Sequence, residues 1–153
     1  MKRGLAIAAF LLISCHSRSS IPAAHREFFA TTEVARLKVY KKYSLREQYE
    51  IMQIGNSVVH PPMVELVDWF AENGRSAVPL LKEQLGRTHD DITIRNIADV
   101  ILLLDKNGLY DSSRDAVLVE ALRKKTDEYP GVWSNTTKGL LIELERTDEA
   151  SVG

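Results

Sequence analysis

Residues 92–106, with the sequence ITIRNIADVILLLDK, form the most apolar helical pattern in the body of the chain. From Val100 to Leu104 every side chain is aliphatic, so a helix here has little room for a solvated face. Helices that are apolar on all sides are buried. Asp90 or Asp91 supplies the residue that begins such a helix. We therefore predict that this segment is the central helix of a helical domain.

On both sides of this segment apolar residues recur at helical spacing, and no strand is predicted. Ser44 and Glu47 have the spacing of a capping box, and the helix that they begin ends at Pro61. Further helices are predicted over residues 62–74, 76–85 and 92–106, from residue 112 or 113, and from about residue 132, with a weaker pattern over 24–40. The fold class is all-α, a short up-down array of about six helices joined by short turns.

The last two predicted helices complete the expected core. In the first of them Ser112 or Ser113 is the N-cap, and the residues expected to face inward are Val117, Leu118, Ala121 and Leu122. In the second, Trp133 is expected on the helix. Leu140, Leu141 and Leu144 are the other apolar residues of that helix.

Two segments next to the central helix share the pattern of a known repeat. Residues 77–81 (AVPLL) and residues 91–95 (DITIR) together resemble one HEAT-type helical repeat, whose first helix carries a proline and whose second opens with an Asp and an aliphatic-Arg pair. The resemblance implies that Asp91 and Arg95 join adjacent repeats by polar contacts. It also implies a HEAT-like solenoid.

The flanking segments depart from the repeat pattern. Residues 116–122 (AVLVEAL) lack the proline, and residues 131–134 (GVWS) stand where the Asp and Arg motif would follow. A solenoid needs about three repeats for stability. The alternative is an irregular helical bundle in which the match is accidental.

The N-terminus has the pattern of a targeting signal. Lys2 and Arg3 precede the apolar run 5–13 (LAIAAFLLI), which suits a signal peptide and is too short to span a bilayer. Residues 12–15 (LISC) then resemble the lipobox of bacterial lipoproteins. This resemblance implies a lipid-bearing thiol on Cys15, cleavage after residue 14 and acylation of the new amino group. Several acyl chains such as palmitate on one residue anchor a protein without a transmembrane helix.

This reading of the N-terminus divides the chain into four parts. Residues 1–14 are a lipoprotein signal peptide, 15–23 the lipidated Cys15 and a serine-rich flexible tether, 24–147 the all-helical domain, and 148–153 a disordered tail. His16, rather than Asp, follows the cysteine, which by resemblance to enterobacterial lipoproteins favours the outer membrane, facing the periplasm, over the inner membrane. The alternative is an ordinary secretory signal cleaved near residues 22–24.

Composition excludes several function classes. The chain has 153 residues and a formal net charge of −1, which becomes −3 without residues 1–14, so no nucleic-acid partner is predicted. Because Cys15 is the only cysteine, an intramolecular disulfide and a Cys-based zinc site are excluded.

The sequence carries no recognisable catalytic or metal motif, so no catalytic residue, metal site or cofactor is predicted. The four histidines lack the spacing of a helical metal site, and no G-x-S-x-G or phosphate-binding glycine loop occurs. Residues 89–91 (HDD) fit a helix N-cap better than a weak cation site. Glu65, Asp68 and Glu72 share one helical face and are either solvated or paired for acid-base chemistry.

Two features favour binding over catalysis. Trp69 lies towards the polar side of its helix, where it is either a partner anchor or part of the core edge. A basic cluster lies near the tether and is either a solvated turn or a contact for anionic lipid headgroups or peptidoglycan. Its members are Arg36, Lys38, Lys41, Lys42 and Arg46.

These observations together predict a lipid-anchored protein of the bacterial envelope. It is expected to be a non-enzymatic protein-interaction module, attached to the membrane through Cys15 and binding an envelope protein through residues such as Trp69, Asp91 and Arg95. Two alternatives stay open: an immunity or inhibitor lipoprotein directed against a toxin, and an envelope-polymer hydrolase that uses surface carboxylates.

Overall fold

The computed structural model describes residues 21–150, and of residues 147–150 it describes the backbone alone. The predicted signal peptide and Cys15 lie outside the described residues. Eight α-helices and three short 3-10 helices make up the described part, which contains no strand, so the all-α prediction is confirmed. The α-helices are α1 (Arg26–Ala30), α2 (Glu33–Tyr40), α3 (Leu45–Ser57), α4 (Glu65–Ala71), α5 (Val78–Arg87), α6 (Asp91–Lys106), α7 (Ala116–Glu128) and α8 (Ser134–Ala150).

Local sequence signals explain where the best-defined helices begin. At α3 the Ser44 backbone N–H donates to the Glu47 carboxylate at 2.8 Å, and the Glu47 N–H donates back to the Ser44 hydroxyl at 3.4 Å, which is the predicted capping box. At α6 the Asp90 carboxylate accepts from the Thr93 N–H at 2.9 Å. Both caps satisfy backbone donors that a helix start leaves without intrahelical partners.

Helix α6 lies at the centre of the molecule, as predicted. It packs against α3, α4, α5, α7 and α8, and most extensively against α8. Eight of its 16 residues are buried, including Ile97, Ile101 and Leu104 at no measurable exposure. Every described core residue lies between Phe28 and Leu144.

The segment predicted as one helix over 24–40 is divided into a 3-10 helix (Ala23–His25), α1 and α2. The division occurs at Thr31 and Thr32, two β-branched residues with extended backbone. The pieces are held by the core: the Tyr40 hydroxyl donates to the Gln48 carbonyl at 3.0 Å, and the ring of Tyr40 lies 5.9 Å from that of Phe28.

Several predicted boundaries shift by a few residues. Helix α4 begins at Glu65 rather than residue 62, and α5 continues through the predicted stop at Gly86 to Arg87. At α7 the N-cap is Asp115, which accepts from the Leu118 N–H at 3.2 Å, and not Ser112 or Ser113. Those serines instead form a 3-10 turn, because the Ser112 N–H and hydroxyl donate to the Asp105 carboxylate.

Two residues predicted on inner helix faces lie elsewhere. Val117 is 80% exposed, because Leu118, Leu122 and Thr126 form the buried face of α7. Trp133 precedes α8 and is 36% exposed.

At the C-terminus α8 ends at Ala150, three residues beyond the predicted domain end. Among the described residues, no helix is both long enough and apolar enough to cross a bilayer.

Candidate functional site

The loop between α7 and α8 docks onto the first turn of α6. The carboxylate of Asp91 accepts a hydrogen bond from the backbone N–H of Trp133 at 2.9 Å. Gly131 makes this approach possible, since a Cβ at that position would come within 2.9 Å of the Asp91 Cβ and overlap the carboxylate. Asp91 therefore fixes the backbone that carries Trp133.

Arg95, one turn further along α6, fixes the ring of Trp133. Its guanidinium carbon lies 5.5 Å from the centre of the indole, within range of a cation–π interaction. The same guanidinium pairs with the Asp99 carboxylate at 3.1 Å and donates to the Asn96 side-chain oxygen at 3.0 Å. The Arg95 side chain is only 18% exposed, so these contacts are largely shielded from water.

A hydrogen bond between Asn96 of α6 and Gln53 of α3 supports the position of Arg95. The Asn96 side chain is fully buried and donates to the Gln53 side-chain oxygen of α3 at 2.8 Å. Asn96 thus links α3 to the guanidinium of Arg95. Buried polar groups that are paired in this way favour one arrangement of the helices over others.

The pKa of Asp99 is raised within this network. Burial raises the pKa of its carboxyl group and outweighs the opposing effect of the Arg95 guanidinium, while the nearby Asp68 carboxylate raises it further. A perturbed carboxyl group alone is weak support for catalysis, since structural ion pairs perturb pKa values too. Here Asp99 pairs with Arg95, and Arg95 contacts the Trp133 ring, so Asp99 helps to position the guanidinium.

We name the exposed part of this assembly the Trp133 surface, formed by Val132, Trp133 and the edge of Arg95. Val132 is 90% exposed, and it lies beside an indole that Asp91 and Arg95 hold in place. Tryptophan and arginine are enriched among the residues that contribute most to protein interfaces. The indole is therefore held in one position with part of its ring open to solvent.

A second surface lies between α5 and α7. A groove of about 200 Å³ is formed mainly by apolar side chains and is bordered by two lysines. It is lined by Lys82, Leu85, Val117, Leu118, Ala121 and Lys125. Both lysines have partners: Lys82 pairs with Asp115, and Lys125 donates to the Thr88 carbonyl at 2.8 Å.

Asp115 stabilises this end of the groove. Burial alone would raise the pKa of its carboxyl group, but hydrogen bonds from Lys82, Tyr110 and the Leu118 N–H outweigh burial and lower it. Asp115 therefore stays ionised as the N-cap of α7, and Lys82 is held at the rim of the groove.

The predicted binding residues fall in two places. Asp91 and Arg95 meet at Trp133, whereas Trp69 is half-buried on α4 and packs against Tyr40 at 5.7 Å between ring centres. Within the described structure Trp69 has no ring contact with Trp133 and no cation contact with Arg95. A binding role for Trp69 stays a prediction.

Of the three carboxylates considered for acid-base chemistry, one is exposed, one is paired and Glu65 is half-buried. Asp68 is exposed, and Glu72 pairs with Lys41 at 2.8 Å, with both side chains about half exposed. Among the described residues, no group of three or more His, Cys, Asp or Glu side chains is arranged to hold a metal ion. The ring of the exposed His89 lies 4.8 Å from that of Tyr129.

Sequence reasoning missed Trp133 as a surface residue. Helical periodicity placed it on α8, but the helix begins at Ser134, whose hydroxyl accepts from the Gly131 N–H at 2.6 Å. Residues 131–134 (GVWS) contain the signal: a glycine and a serine that bracket two large apolar residues indicate a turn rather than a helix.

No family model matches the chain, and neither the curated proteins nor the solved structures contain a match to it.

Proposed function

We propose that this chain is a lipid-anchored, non-enzymatic protein-interaction module of the bacterial envelope, and that the Trp133 surface is its binding site. The observation that carries the proposal is an exposed Val132-Trp133 pair held by Asp91 and Arg95. A side chain that is ordered before binding loses less conformational entropy when a partner arrives. Such a pair is suited to be an interface anchor.

The membrane attachment is supported by the sequence. The apolar run at 5–13 and the lipobox-like segment 12–15 place Cys15 where lipoproteins carry their acyl chains, and His16 favours the outer membrane. Changing Cys15→Ser should abolish incorporation of labelled palmitate and release the protein from the membrane fraction. Retention of the serine variant in the membrane would contradict lipid attachment at Cys15.

The HEAT-like pair α5 and α6 forms the other part of the proposal. The resemblance implies that Asp91 and Arg95 bridge to the next repeat, and both residues contact Trp133, in the segment that follows α7. Asp91→Ala should speed hydrogen exchange of the Trp133 amide, whose N–H donates to that carboxylate, and an unchanged exchange rate would contradict this assignment.

The binding site is tested by site-specific crosslinking in the native envelope. A photoreactive residue is introduced at Val132, and a matched control is introduced at the exposed Leu109, which follows the C-terminal end of α6. We expect one recurrent protein adduct from position 132 and none of that mass from position 109. Adducts with lipid or glycan alone would favour an envelope-polymer role over a protein partner.

A substitution then measures how much Trp133 contributes to partner binding. Trp133→Ser should weaken partner binding by about thirtyfold, the effect of losing an interface residue worth about 2 kcal/mol. Leu109→Ser is the control and should leave the affinity unchanged. The identity of the partner separates the two versions of the proposal: a toxin indicates an immunity protein, and an envelope component indicates a scaffold.

A further inference from the structure

The charge of the chain is strongly divided along its length. Residues 21–46 contain six Lys and Arg against two Glu, whereas residues 47–153 contain 11 Lys and Arg against 19 Asp and Glu. The first segment has a net charge of +4 and the remainder −8. The positive segment comprises α1 and α2, which directly follow the predicted tether.

Helix α2 and the turn after it present part of this charge. Val34 and Lys38 lie four residues apart on α2 and so share one side of it, and Lys41 and Lys42 follow in the turn directly after Tyr40. All four are exposed, and Val34 is 99% exposed. We call these four residues the α2 face.

The opposite side of α2 is fixed to the core. Tyr40 is fully buried, and its hydroxyl donates to the carbonyl of Gln48 at the start of α3. Its ring lies 5.7 Å from that of Trp69 on α4. These contacts set the direction in which the α2 face points.

Two lysines of the α2 face, Lys38 and Lys42, have no described acidic partner. Neither Lys38 nor Lys42 forms an ion pair with any carboxylate that the structure describes. Of the other members of the predicted basic cluster, Arg46 pairs with Glu83 at 3.1 Å, and Arg36 is half-buried and donates to the Thr31 carbonyl at 3.2 Å. Lys41 of the α2 face pairs with Glu72 at 2.8 Å, so of the five members of the predicted cluster Lys38 and Lys42 are the two without a described partner.

The predicted tether is short enough to bring this face to a bilayer. From Cys15 to Ile21 the chain advances six residues, which span at most about 21 Å when fully extended. At Ile21 the chain joins the domain, where the Arg26 guanidinium donates to the Ile21 carbonyl at 3.3 Å. An anchor on Cys15 thus holds the positive end of the domain next to the headgroups.

We propose that the α2 face docks on anionic phospholipid headgroups, with the lysine ammonium groups at the phosphates and Val34 in the interfacial region. The orientation follows from charge, because an anionic surface attracts residues 21–46 and repels the acidic remainder. The inference rests on the proposed membrane anchor at Cys15.

The test uses a protein that begins at His16, which retains every described core residue and lacks the lipidated cysteine. Its partition onto vesicles is measured with phosphatidylcholine alone and with added phosphatidylglycerol. We expect binding to the anionic vesicles only, with an affinity that falls as salt increases. Lys38→Gln combined with Lys42→Gln should lower the partition coefficient by about 25-fold, or about fivefold for each lysine.

A matched control removes the same charge elsewhere. Lys124→Gln with Lys138→Gln changes two exposed lysines of α7 and α8 and should alter the partition by no more than about twofold. Far-UV circular dichroism of each variant checks that the helices are retained.

Three outcomes would overturn the proposal: no binding to anionic vesicles at low salt, an equal loss in the control variant, or binding to peptidoglycan sacculi without binding to vesicles. None of these outcomes bears on palmitate labelling at Cys15 or on crosslinks at Val132, because the vesicle assay uses neither. The proposed function and the docking of the α2 face therefore fail separately.

Discussion

Helices α6 and α2 differ widely in burial within the same domain. In α6 eight of 16 residues are buried, whereas in α2 one of eight is buried, Tyr40. Helix α6 packs against five other helices, so a substitution there alters the packing of most of the core. Side chains on the outer face of α2 contact mainly solvent. The comparison indicates that α6 stabilises the fold and that the α2 face is available for function.

The largest expected effect comes from truncating the centre of α6. Ile101→Ala removes apolar atoms from a fully buried site and leaves a cavity, which should lower the free energy of unfolding by about 2–5 kcal/mol. Ile142→Ala on α8 is the matched control, because that side chain is about half exposed and should cost less than about 1 kcal/mol. Urea denaturation followed by circular dichroism measures both. Equal losses would refute a central role for α6.

The second largest effect is expected at the hydrogen bond between Asn96 of α6 and Gln53 of α3. Asn96→Ala removes the donor to Gln53 and the acceptor for Arg95, and leaves the partly buried Gln53 oxygen and the Arg95 guanidinium each one hydrogen bond short. An unsatisfied buried polar group costs about 1–3 kcal/mol, and we expect the free energy of unfolding to fall by that amount. Asn135→Ala, at an exposed position of α8, should change it by less than about 0.5 kcal/mol. The wavelength of the Trp133 fluorescence emission should also shift in Asn96→Ala, because Asn96 helps to hold the Arg95 guanidinium against the indole.

Tyr40, the one buried residue of α2, has an intermediate effect. Tyr40→Phe removes the hydrogen bond to Gln48 and should lower the free energy of unfolding by about 1 kcal/mol at neutral pH. Far-UV circular dichroism should show that α2 is retained, because the ring still fills its site against Phe28 and Trp69.

The same variant changes how stability depends on alkaline pH. Burial raises the pKa of Tyr40 far above its ordinary value of 10.0, with a smaller contribution from the Glu72 carboxylate. The phenol therefore ionises in the unfolded chain first, so its contribution is complete below pH 10 and is lost as pH rises further. That loss is about 1.4 kcal/mol for each pH unit. Between pH 10 and 11 the Tyr40→Phe protein should lose less stability than the original chain, and an identical slope would contradict this.

The sequence predicts α6 and α3 well because their signals are local. Ser44 and Glu47 are three residues apart, and Asp90 caps the helix that it precedes, so each boundary depends on one short segment. The all-α class follows from the same periodicity.

The positions of Val117 and Trp133 depend instead on residues distant in the chain. Val117 and Leu118 are equally apolar neighbours, and the packing of α7 against other helices decides which one is buried. Trp133 is placed by Asp91, which lies 42 residues earlier. Periodicity carries no information about such contacts, and for this reason the Trp133 surface was not predicted although Asp91 and Arg95 were.

The smallest expected effect has the opposite sign and comes from the α2 face. Val34→Ala changes a side chain that is 99% exposed, so no cavity forms and little buried apolar area is lost. Alanine has a higher helix propensity than valine, so the free energy of unfolding should rise by a few tenths of a kcal/mol, measured by the same urea titration. The vesicle assay should show weaker binding of this variant, because valine contributes apolar contact in the interfacial region. A side chain whose removal strengthens the fold and weakens lipid binding serves the surface rather than the core. A loss above about 1 kcal/mol would instead show that Val34 is packed, and the α2 face would then belong to the stabilising part of the molecule.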